Sequence, residues 1–492
     1  MKDDDGHSPV CLWVGVVALI QVAALVATST RYGYHRDELY FIECGAHPAF
    51  GYPDQPPLVP LLSWAMQSLA PGSLLVLRAP SALAAGATTV LAGLIAREVG
   101  GGGRAQVVAA ACTACSAFAL ATGHIVSTTT FDMLSTTTFC WLAISAVRTG
   151  NGRYALAAGA VAGLGVEFKP QVGLVAGMSV AALALVGPRT VLRSRWAVAG
   201  TAFAVVLAAP YLIWQAQHGW PQATVASNIA GSQEGGRVGF IPFQLIMVSL
   251  VLVPVWVAGL IAPLRCPRWR MLRFLPIAYV GLAIAYLIGD GSAYYLASLY
   301  PTLLGLGAVP TVAWIGRSRV RRLTLGVAIA VSAAVSALIA LPLIPERDLQ
   351  GSATVALNVI PAETVGWPRF VDTVAAAWHR IPAGERADTA IFADNYGEAG
   401  AIDLMGRGRL PRAYGSQNAV SEWGHPPAAD TYALVLGYDD PRDAGPEFAG
   451  CRRLARINDG VGLDNQEQGL PVMLCRPTAP WATLWPRLRH FD

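Results

Sequence analysis

Two neighbouring acids, Asp37 and Glu38, follow the first apolar segment of the chain. They stand in the stretch RYGYHRDELYFIECGAHPAFGYPDQPP, which carries further acids and several aromatic side chains. Because this stretch begins where an apolar segment ends, we expect the Asp37 carboxylate at a membrane surface, within reach of a lipid headgroup. The alternative is a solvated loop whose acids have no function. The candidate substrate contacts in the same stretch are Tyr40, Tyr52, Asp54 and Gln55.

A further acid, Asp132, lies inside the apolar segment TTTFDMLSTTTF, and His124 precedes it. An acid at membrane depth is costly and is by default a functional candidate. The alternative is a solvated acid at a helix start, where the helix dipole favours it. We therefore count Asp132 as a third candidate catalytic residue and His124 as a candidate substrate contact.

Lysine is almost absent from the chain: only Lys2 and Lys169 occur among 35 basic residues. Lys169 stands between two shortened apolar segments, and an ammonium group is a compact point charge suited to phosphate. The alternatives are a lysine that extends its charge to the membrane surface, or one that pairs with Glu167. We favour phosphate binding, because a lysine that serves only as an interface charge could have been arginine in this chain.

Tyr294 and Tyr295 follow a glycine-containing turn in GDGSAYYLASLYP. Tyrosines often anchor helices at a membrane interface, which is the alternative role for this pair. Together with the acids and Lys169, the tyrosines predict a site at the membrane surface that contains carboxylates, one cation and aromatic rings. Such a site suits a reaction between a lipid phosphate and a polar acceptor.

The composition requires a membrane to position these residues. Of 492 residues, 54% are hydrophobic and 13% are charged, whereas soluble domains carry about 25% charged residues. A water-soluble enzyme is therefore nearly excluded. Since a membrane helix needs about 20 apolar residues, the apolar runs predict eleven spans, near residues 11–29, 75–96, 106–122, 128–147, two within 154–186, 196–216, 241–264, 274–288, 295–315 and 323–344.

Arginine-rich loops alternate along these runs. Because such loops face the cytoplasm, the pattern predicts a multi-pass protein of the cell membrane with a cytoplasmic N-terminus, and it places the Asp37 loop and the C-terminal segment outside. The acidic start of the chain, with no clear cleavage site before Arg31, predicts that the first span stays as an anchor.

Charged residues and prolines return after residue 345. We therefore predict two domains, a transmembrane bundle over 1–345 and an extracytoplasmic α/β domain over 346–492. Helical spacing predicts a helix over 368–380, and short apolar runs predict strands at 389–393, 432–436 and 471–475. An outside location would permit a disulfide between Cys451 and Cys475. Possible sugar-binding side chains in this domain are Asn395, Tyr396, Glu398, Asn418 and Trp423.

The order of several motifs resembles a known family. The Asp37-Glu38 pair, GYPDQPPL, FDML, GLGVEFKPQVGL and AYYLASLYP resemble, in that order, the bacterial membrane glycosyltransferases of the protein O-mannosyltransferase and aminoarabinose transferase superfamily, which have the GT-C fold. The resemblance covers about residues 10–345. The segments DNYGEAGAIDLMG and LPRAYGSQNAVSEWG also resemble the external domain of a subset of these proteins.

The resemblance implies a mainly α-helical polytopic GT-C protein that transfers a sugar from a polyprenyl-phosphate donor, with inversion. It implies Asp37 as general base, and Lys169 would then stabilise the leaving phosphate. Asp132 would orient the acceptor or support the first loop. The aminoarabinose transferases usually carry Arg and Lys where this chain has Tyr40 and Gln55. The donor phosphate would therefore be held by Lys169 with Arg78 or Arg36, and a neutral hexose or pentose is favoured over aminoarabinose.

The expected partners are the lipid-linked donor, an acceptor protein, lipid or envelope glycan, and membrane lipids, with no nucleic acid. The sequence indicates no cofactor and no metal, although it leaves a divalent cation possible. Its one C-x-x-C pair, Cys112 and Cys115, has no second pair to complete a zinc site. A transporter or flippase of lipid-linked sugars is the alternative function, but transport does not need a base in an external loop.

Overall fold

The computed structural model describes residues 10–231, 237–439 and 445–492. The described chain forms two compact units. The membrane unit contains the described residues of Met1–Ser29, Arg78–Gln217 and Ala226–Leu341, and the C-terminal unit contains those of Thr30–Leu77, His218–Val225 and Pro342–Asp492. The last segment of the C-terminal unit begins at Pro342, near the predicted boundary at 345. The unit also includes Thr30–Leu77, which contains the first loop and was predicted to belong to the membrane domain.

The helices, numbered in chain order, are α1 (Leu12–Thr28), α2 (Arg36–Ala46), α3 (Leu58–Leu69), α4 (Leu74–Glu98), α5 (Gly103–Ala114), α6 (Ala117–His124), α7 (Thr128–Thr149), α8 (Gly152–Val166), α9 (Gln171–Val186), α10 (Arg189–Leu192), α11 (Arg195–Gln217), α12 (Pro221–Gly231), α13 (Arg237–Val248), α14 (Val253–Arg265), α15 (Phe274–Ile288), α16 (Tyr300–Ile315), α17 (Arg319–Ala340), α18 (Ala353–Leu357), α19 (Trp367–Arg380), α20 (Ala383–Arg386), α21 (Tyr396–Met405) and α22 (Trp481–Leu488).

By length and composition, four segments could each cross a membrane as one helix: α4, α11, α17 and Ala293–Ile315. Two further pairs, α5 with α6 and α13 with Leu250–Arg265, pass only as spans bent by 59° and 82°. The helices α1, α3, α9 and α15 are apolar but shorter. Among the described residues this gives four to six spans, so the predicted count of eleven is not confirmed.

Both bends fall in predicted spans, 106–122 and 241–264, where the backbone interrupts the helix. Ser116 starts α6 because its hydroxyl accepts the backbone N–H of Ala119. α13 ends at Val248 because the backbone of Ser249 is extended (φ 171°, ψ 138°). Pro254 then stands in the first turn of α14, where its missing N–H costs no helical hydrogen bond.

Small residues let helices of the membrane unit approach closely. A Cβ added to Gly259 on α14 would lie 2.0 Å from the carbonyl oxygen of Leu303, and one on Gly307 of α16 would lie 1.8 Å from that of Val255. Backbone contact of this kind is typical of packing between membrane helices, where small side chains replace bulky ones at the interface.

The C-terminal unit contains a five-stranded sheet. Its strands are β1 (Thr389–Ala393), β2 (Ala413–Gly415), β3 (Tyr432–Leu436), β4 (Phe448–Arg456) and β5 (Pro471–Pro477), and their order is β2-β1-β3-β5-β4. β1 pairs in parallel with β2 and β3, whereas β5 runs antiparallel to β3 and β4. A disulfide joins Cys451 on β4 to Cys475 on β5. The helix predicted over 368–380 and the three predicted strands are confirmed.

Candidate active site

Asp37 lies in the first turn of α2, in the C-terminal unit. This helix begins with a capping box, in which His35 Nδ1 accepts the N–H of Asp37 at 3.2 Å and the Glu38 carboxylate accepts the N–H of His35 at 2.9 Å. Glu38 is fully buried by this role. By contrast, 37% of the Asp37 side chain is exposed. Of the two neighbouring acids, Asp37 is therefore the one that presents its carboxylate to solvent.

The Asp37 carboxylate accepts a hydrogen bond from a tyrosine far along the chain. Tyr396 Oη, at the start of α21, donates to Asp37 Oδ1 at 2.9 Å. The Tyr396 ring stacks on Tyr40 with centroids 4.5 Å apart, and the Arg36 guanidinium lies 4.7 Å from its centroid. Burial and the negative charge of Asp37 raise the pKa of Tyr396 well above its usual value, so its hydroxyl remains a donor.

A histidine and a glutamate lie hydrogen-bonded beside Asp37. His35 Nε2 is 2.9 Å from Glu363 Oε2, and His35 Nδ1 is 3.8 Å from Asp37 Oδ2. Burial alone would lower the pKa of His35, but the charges of Asp37 and Glu363 outweigh it and raise that pKa. For Glu363, burial would raise the pKa, but the hydrogen bond and charge of His35 outweigh it and lower that pKa. The Glu363 carboxylate is thus held ionised and accepts the Nε2–H of His35, whose Nδ1 accepts the N–H of Asp37.

The two arginines proposed to assist at a donor phosphate are both buried. Arg36 donates to Gln466 Oε1 at 2.7 Å and lies 3.7 Å from Glu363. Arg78, which is 1% exposed, donates to the carbonyl oxygen of Ser29 at 2.6 Å. These bonds show that both arginines make contacts within the protein. Contact with a donor phosphate remains a prediction for them.

The four candidate substrate contacts of the first loop make bonds within that loop. Tyr40 Oη donates to Asp54 Oδ1 at 2.6 Å, and Tyr52 Oη donates to the carbonyl oxygen of Cys44 at 2.7 Å. Gln55 Nε2 lies 3.8 Å from Cys44 Sγ. Burial raises the pKa of Asp54 to about 7, although the Tyr40 hydrogen bond opposes this shift. The loop is therefore packed and internally bonded rather than freely solvated.

Lys169 forms a second cluster, which belongs to the membrane unit. It lies between α8 and α9 and is 7% exposed. Its Nζ donates to Thr129 Oγ1 at 2.7 Å and lies 5.0 Å and 5.7 Å from the ring centroids of Tyr294 and Tyr295. Asp132 is close enough for its charge to interact with the ammonium group. The structure thus brings together three separately predicted candidates: Lys169, Asp132 and the tyrosine pair Tyr294 and Tyr295.

Asp132 is 2% exposed and lies within α7, where Thr136 Oγ1 donates to its Oδ1 at 3.0 Å. This burial argues against the alternative of a solvated acid at a helix start. His124 ends α6, and its Nε2 is 3.1 Å from the carbonyl oxygen of Thr28. That contact connects two helices of the membrane unit, so packing accounts for His124 without a substrate.

Most of the possible sugar-binding residues of the C-terminal unit have structural partners. Asn395 and Glu398 form the capping box of α21. The Trp423 ring stacks on His47 with centroids 4.1 Å apart. Asn418 is buried and donates to the backbone carbonyl of the last residue at 2.9 Å. These contacts explain the residues without a carbohydrate.

No sequence pattern connects Tyr396 with Asp37, and neither His35 nor Glu363 was among the predicted site residues. One local signal was available: α2 and α21 both start with a cap residue followed three positions later by glutamate. This signal locates the two helix starts but does not show that they pair. Within the described residues, no group of three or more His, Cys, Asp or Glu side chains could hold a metal ion.

The apolar helices of the membrane unit define a helical membrane protein. Within this class, residues 54–214, about a third of the chain, match the family model described as dolichyl-phosphate-mannose-protein mannosyltransferase. A search of curated protein sequences gives no match.

Solved structures show the fold. ArnT from Cupriavidus metallidurans bound to undecaprenyl phosphate superposes with a TM-score of 0.58 and 13% identity, over 95% of this chain and 98% of ArnT. Arabinofuranosyltransferase AftD from Mycobacteria gives a TM-score of 0.53 and 16% identity, over 96% of this chain and 40% of AftD. These superpositions confirm the predicted GT-C fold, and the family-model match agrees with the resemblance seen in the motifs.

Proposed function

We propose that this protein is a membrane glycosyltransferase that moves a sugar from a polyprenyl-phosphate donor to a polar acceptor. The family-model match over residues 54–214 supports a transferase of this kind. The ArnT structure, whose fold this chain shares, holds undecaprenyl phosphate, which supports a lipid phosphate as carrier. The acceptor would be a protein, a lipid or an envelope glycan.

The observation that carries the proposal is the partly exposed, fixed carboxylate of Asp37. As the acceptor oxygen forms its bond to the anomeric carbon, the acceptor proton passes to Asp37. The bond from that carbon to the phosphate oxygen breaks at the same time, and its electron pair leaves with the phosphate. Attack opposite the leaving group inverts the anomeric carbon. The phosphate is already charged and needs little help from an acid.

Lys169 is a separate part of the proposal. Its ammonium group is buried beside Thr129 and two tyrosines, and in such an environment a cation stabilises a departing phosphate more strongly than in water. Tyr40 and Gln55 occupy positions where the aminoarabinose transferases usually have Arg and Lys, and both are bonded within the first loop. This supports a neutral hexose or pentose as the donor sugar.

We also propose that the N-terminus is cytoplasmic and the C-terminal unit extracytoplasmic. The support is the alternation of arginine-rich loops, which face the cytoplasm in membrane proteins. A membrane-impermeant thiol reagent should fail to label a cysteine introduced at Ser318, and labelling there in intact cells would contradict this orientation.

Asp37→Asn tests the function. A strain lacking the gene is complemented with wild-type protein, Asp37→Asn or the control Asp348→Asn, which alters an exposed acid of the same unit. Mass spectrometry of envelope glycolipids and glycoproteins identifies the product, and its rate of formation is then measured in nanodiscs. Loss of a general base is expected to slow transfer about 10²- to 10⁴-fold while donor binding changes little.

The Asp348→Asn control should retain the wild-type rate. Wild-type transfer by Asp37→Asn would remove Asp37 as the base. A glycoconjugate profile that does not depend on the gene would contradict the transferase itself.

A further inference from the structure

The hydrogen bond between Tyr396 and Asp37 connects the proposed base with a helix of the C-terminal α/β fold. We propose that Tyr396 is a positioning residue, which holds the Asp37 carboxylate in the orientation that accepts the proton, so that this fold takes part in catalysis. The inference rests on the base role of Asp37 proposed above. Tyr396 acts through Asp37 and need not touch the substrate.

The backbone of Tyr396 is fixed where α21 begins. Asn395 Oδ1 accepts the N–H of Gly397 at 2.6 Å, and the N–H of Tyr396 itself donates to Gln417 Oε1 at 3.0 Å. Both bonds satisfy donors that a helix start leaves unpaired. The Tyr396 side chain therefore starts from a backbone that these two hydrogen bonds hold in place.

Two glycines allow α21 to lie directly against α2. A Cβ added to Gly400 would be 3.0 Å from Leu39 Cβ and 3.1 Å from its carbonyl carbon, and one on Gly397 would be 3.0 Å from Arg36 Cβ. Larger residues at these positions would hold the two helices apart. The segment YGEAG therefore combines the donor, the capping glutamate and the small residues that bring the donor to Asp37.

The Tyr396 ring is fixed by its neighbours. It stacks on Tyr40 and lies next to the Arg36 guanidinium. Gln466 Oε1 accepts hydrogen bonds from Arg36 at 2.7 Å and from Asn395 Nδ2 at 3.1 Å, so one amide links the starts of α2 and α21. The Tyr396 ring thus lies between Tyr40 and an arginine that is itself bonded to Gln466.

The two oxygens of the Asp37 carboxylate have different surroundings. Oδ1 accepts the Tyr396 hydrogen bond, whereas Oδ2 is 3.8 Å from the nearest nitrogen of His35. An aspartate at an exposed helix start would otherwise sample several rotamers, and the rate of a proton transfer depends strongly on a fixed geometry. Tyr396 thus selects one rotamer and leaves Oδ2 for the acceptor hydroxyl.

Tyr396→Phe removes the hydroxyl and keeps the ring. Since a hydrogen bond to a charged group is lost, we expect the kcat for transfer to fall about 10- to 100-fold, with little change in donor KM. The control is Tyr432→Phe, because Tyr432 also has a hydrogen bond, from Arg476 at 2.7 Å, and an arginine 4.9 Å from its ring centroid. The control should keep the wild-type kcat.

A double-mutant cycle shows whether Tyr396 acts through Asp37. Adding Tyr396→Phe to Asp37→Asn should cause no further loss of the residual rate. Coupling between the same two substitutions is also measured in the temperature of thermal unfolding, which needs no catalysis and applies to poorly active variants. A wild-type kcat for Tyr396→Phe, or additive effects in both cycles, would overturn the positioning role.

The two proposals fail in different ways. If Asp37→Asn is inactive and Tyr396→Phe is as active as wild type, the positioning role is wrong and the transferase assignment stands. If Asp37→Asn keeps the wild-type rate, the base assignment is wrong and the positioning role fails with it.

Discussion

Gly400→Ala tests how strictly the packing of α21 on α2 determines activity. The added Cβ would meet Leu39 at 3.0–3.2 Å through its Cβ and its carbonyl group. The carbonyl group belongs to a helix backbone and cannot move alone, so the helices must separate by a few tenths of an ångström. Overpacking costs about 1–3 kcal/mol, and replacing Gly by Ala in a helix regains about 1 kcal/mol. We expect a net destabilisation of about 1 kcal/mol.

The same displacement would lengthen the bond between Tyr396 Oη and Asp37 Oδ1, now 2.9 Å. The transfer rate of Gly400→Ala should therefore fall between those of wild type and Tyr396→Phe. Gly384→Ala is the control, because a Cβ there meets nothing within 4 Å. Thermal unfolding and single-turnover transfer in nanodiscs measure both effects. If Gly400→Ala is as stable and as active as the control, the close approach of the two helices does not position Asp37.

Two further predictions concern charged groups. If Lys169 contacts the donor phosphate, Lys169→Met should weaken donor binding and slow transfer, and Lys169→Arg should restore these only in part; a fully active Arg variant with an active Met variant would exclude this role. Because the pKa of Asp54 is raised to about 7, its contribution to stability is complete at acid pH and is lost as the pH rises through that value. Asp54→Asn should thus lose less thermal stability than wild type between about pH 5 and about pH 8, and equal losses would contradict the shift.

Local sequence signals account for the parts of the fold that were predicted well. The helix near 368–380 and the strands near 389–393 and 432–436 follow from spacing and short apolar runs, since each is decided by neighbouring residues. The span count depended on whether an apolar run continues as one helix. Two such runs are interrupted at Ser116 and at Ser249, and counting apolar residues does not detect an interruption of this kind.

In the candidate site, too, local sequence indicates some residues and not others. Asp37 could be selected from its position after an apolar segment, and Lys169 from its rarity in the chain. Tyr396, the partner of Asp37, could not be predicted from the sequence, because it is 359 residues away and no local sequence pattern marks its hydroxyl as a donor to Asp37. Glu38 was selected with Asp37, but its place in the capping box, three residues after the cap, accounts for its burial.

The separation of Tyr396 from Asp37 has a physical consequence for how the base is held. α2 has 11 residues, and isolated helices shorter than about 12–15 residues are marginal in water. Its capping box fixes where it starts, but the stability of so short a helix must come mostly from packing. α21 supplies part of that packing through Gly400, and it supplies the donor to Asp37 from the same surface. Substitutions in α21 that touch no substrate should therefore change the rate of transfer, because the helix that carries the base is stabilised by the segment that orients it.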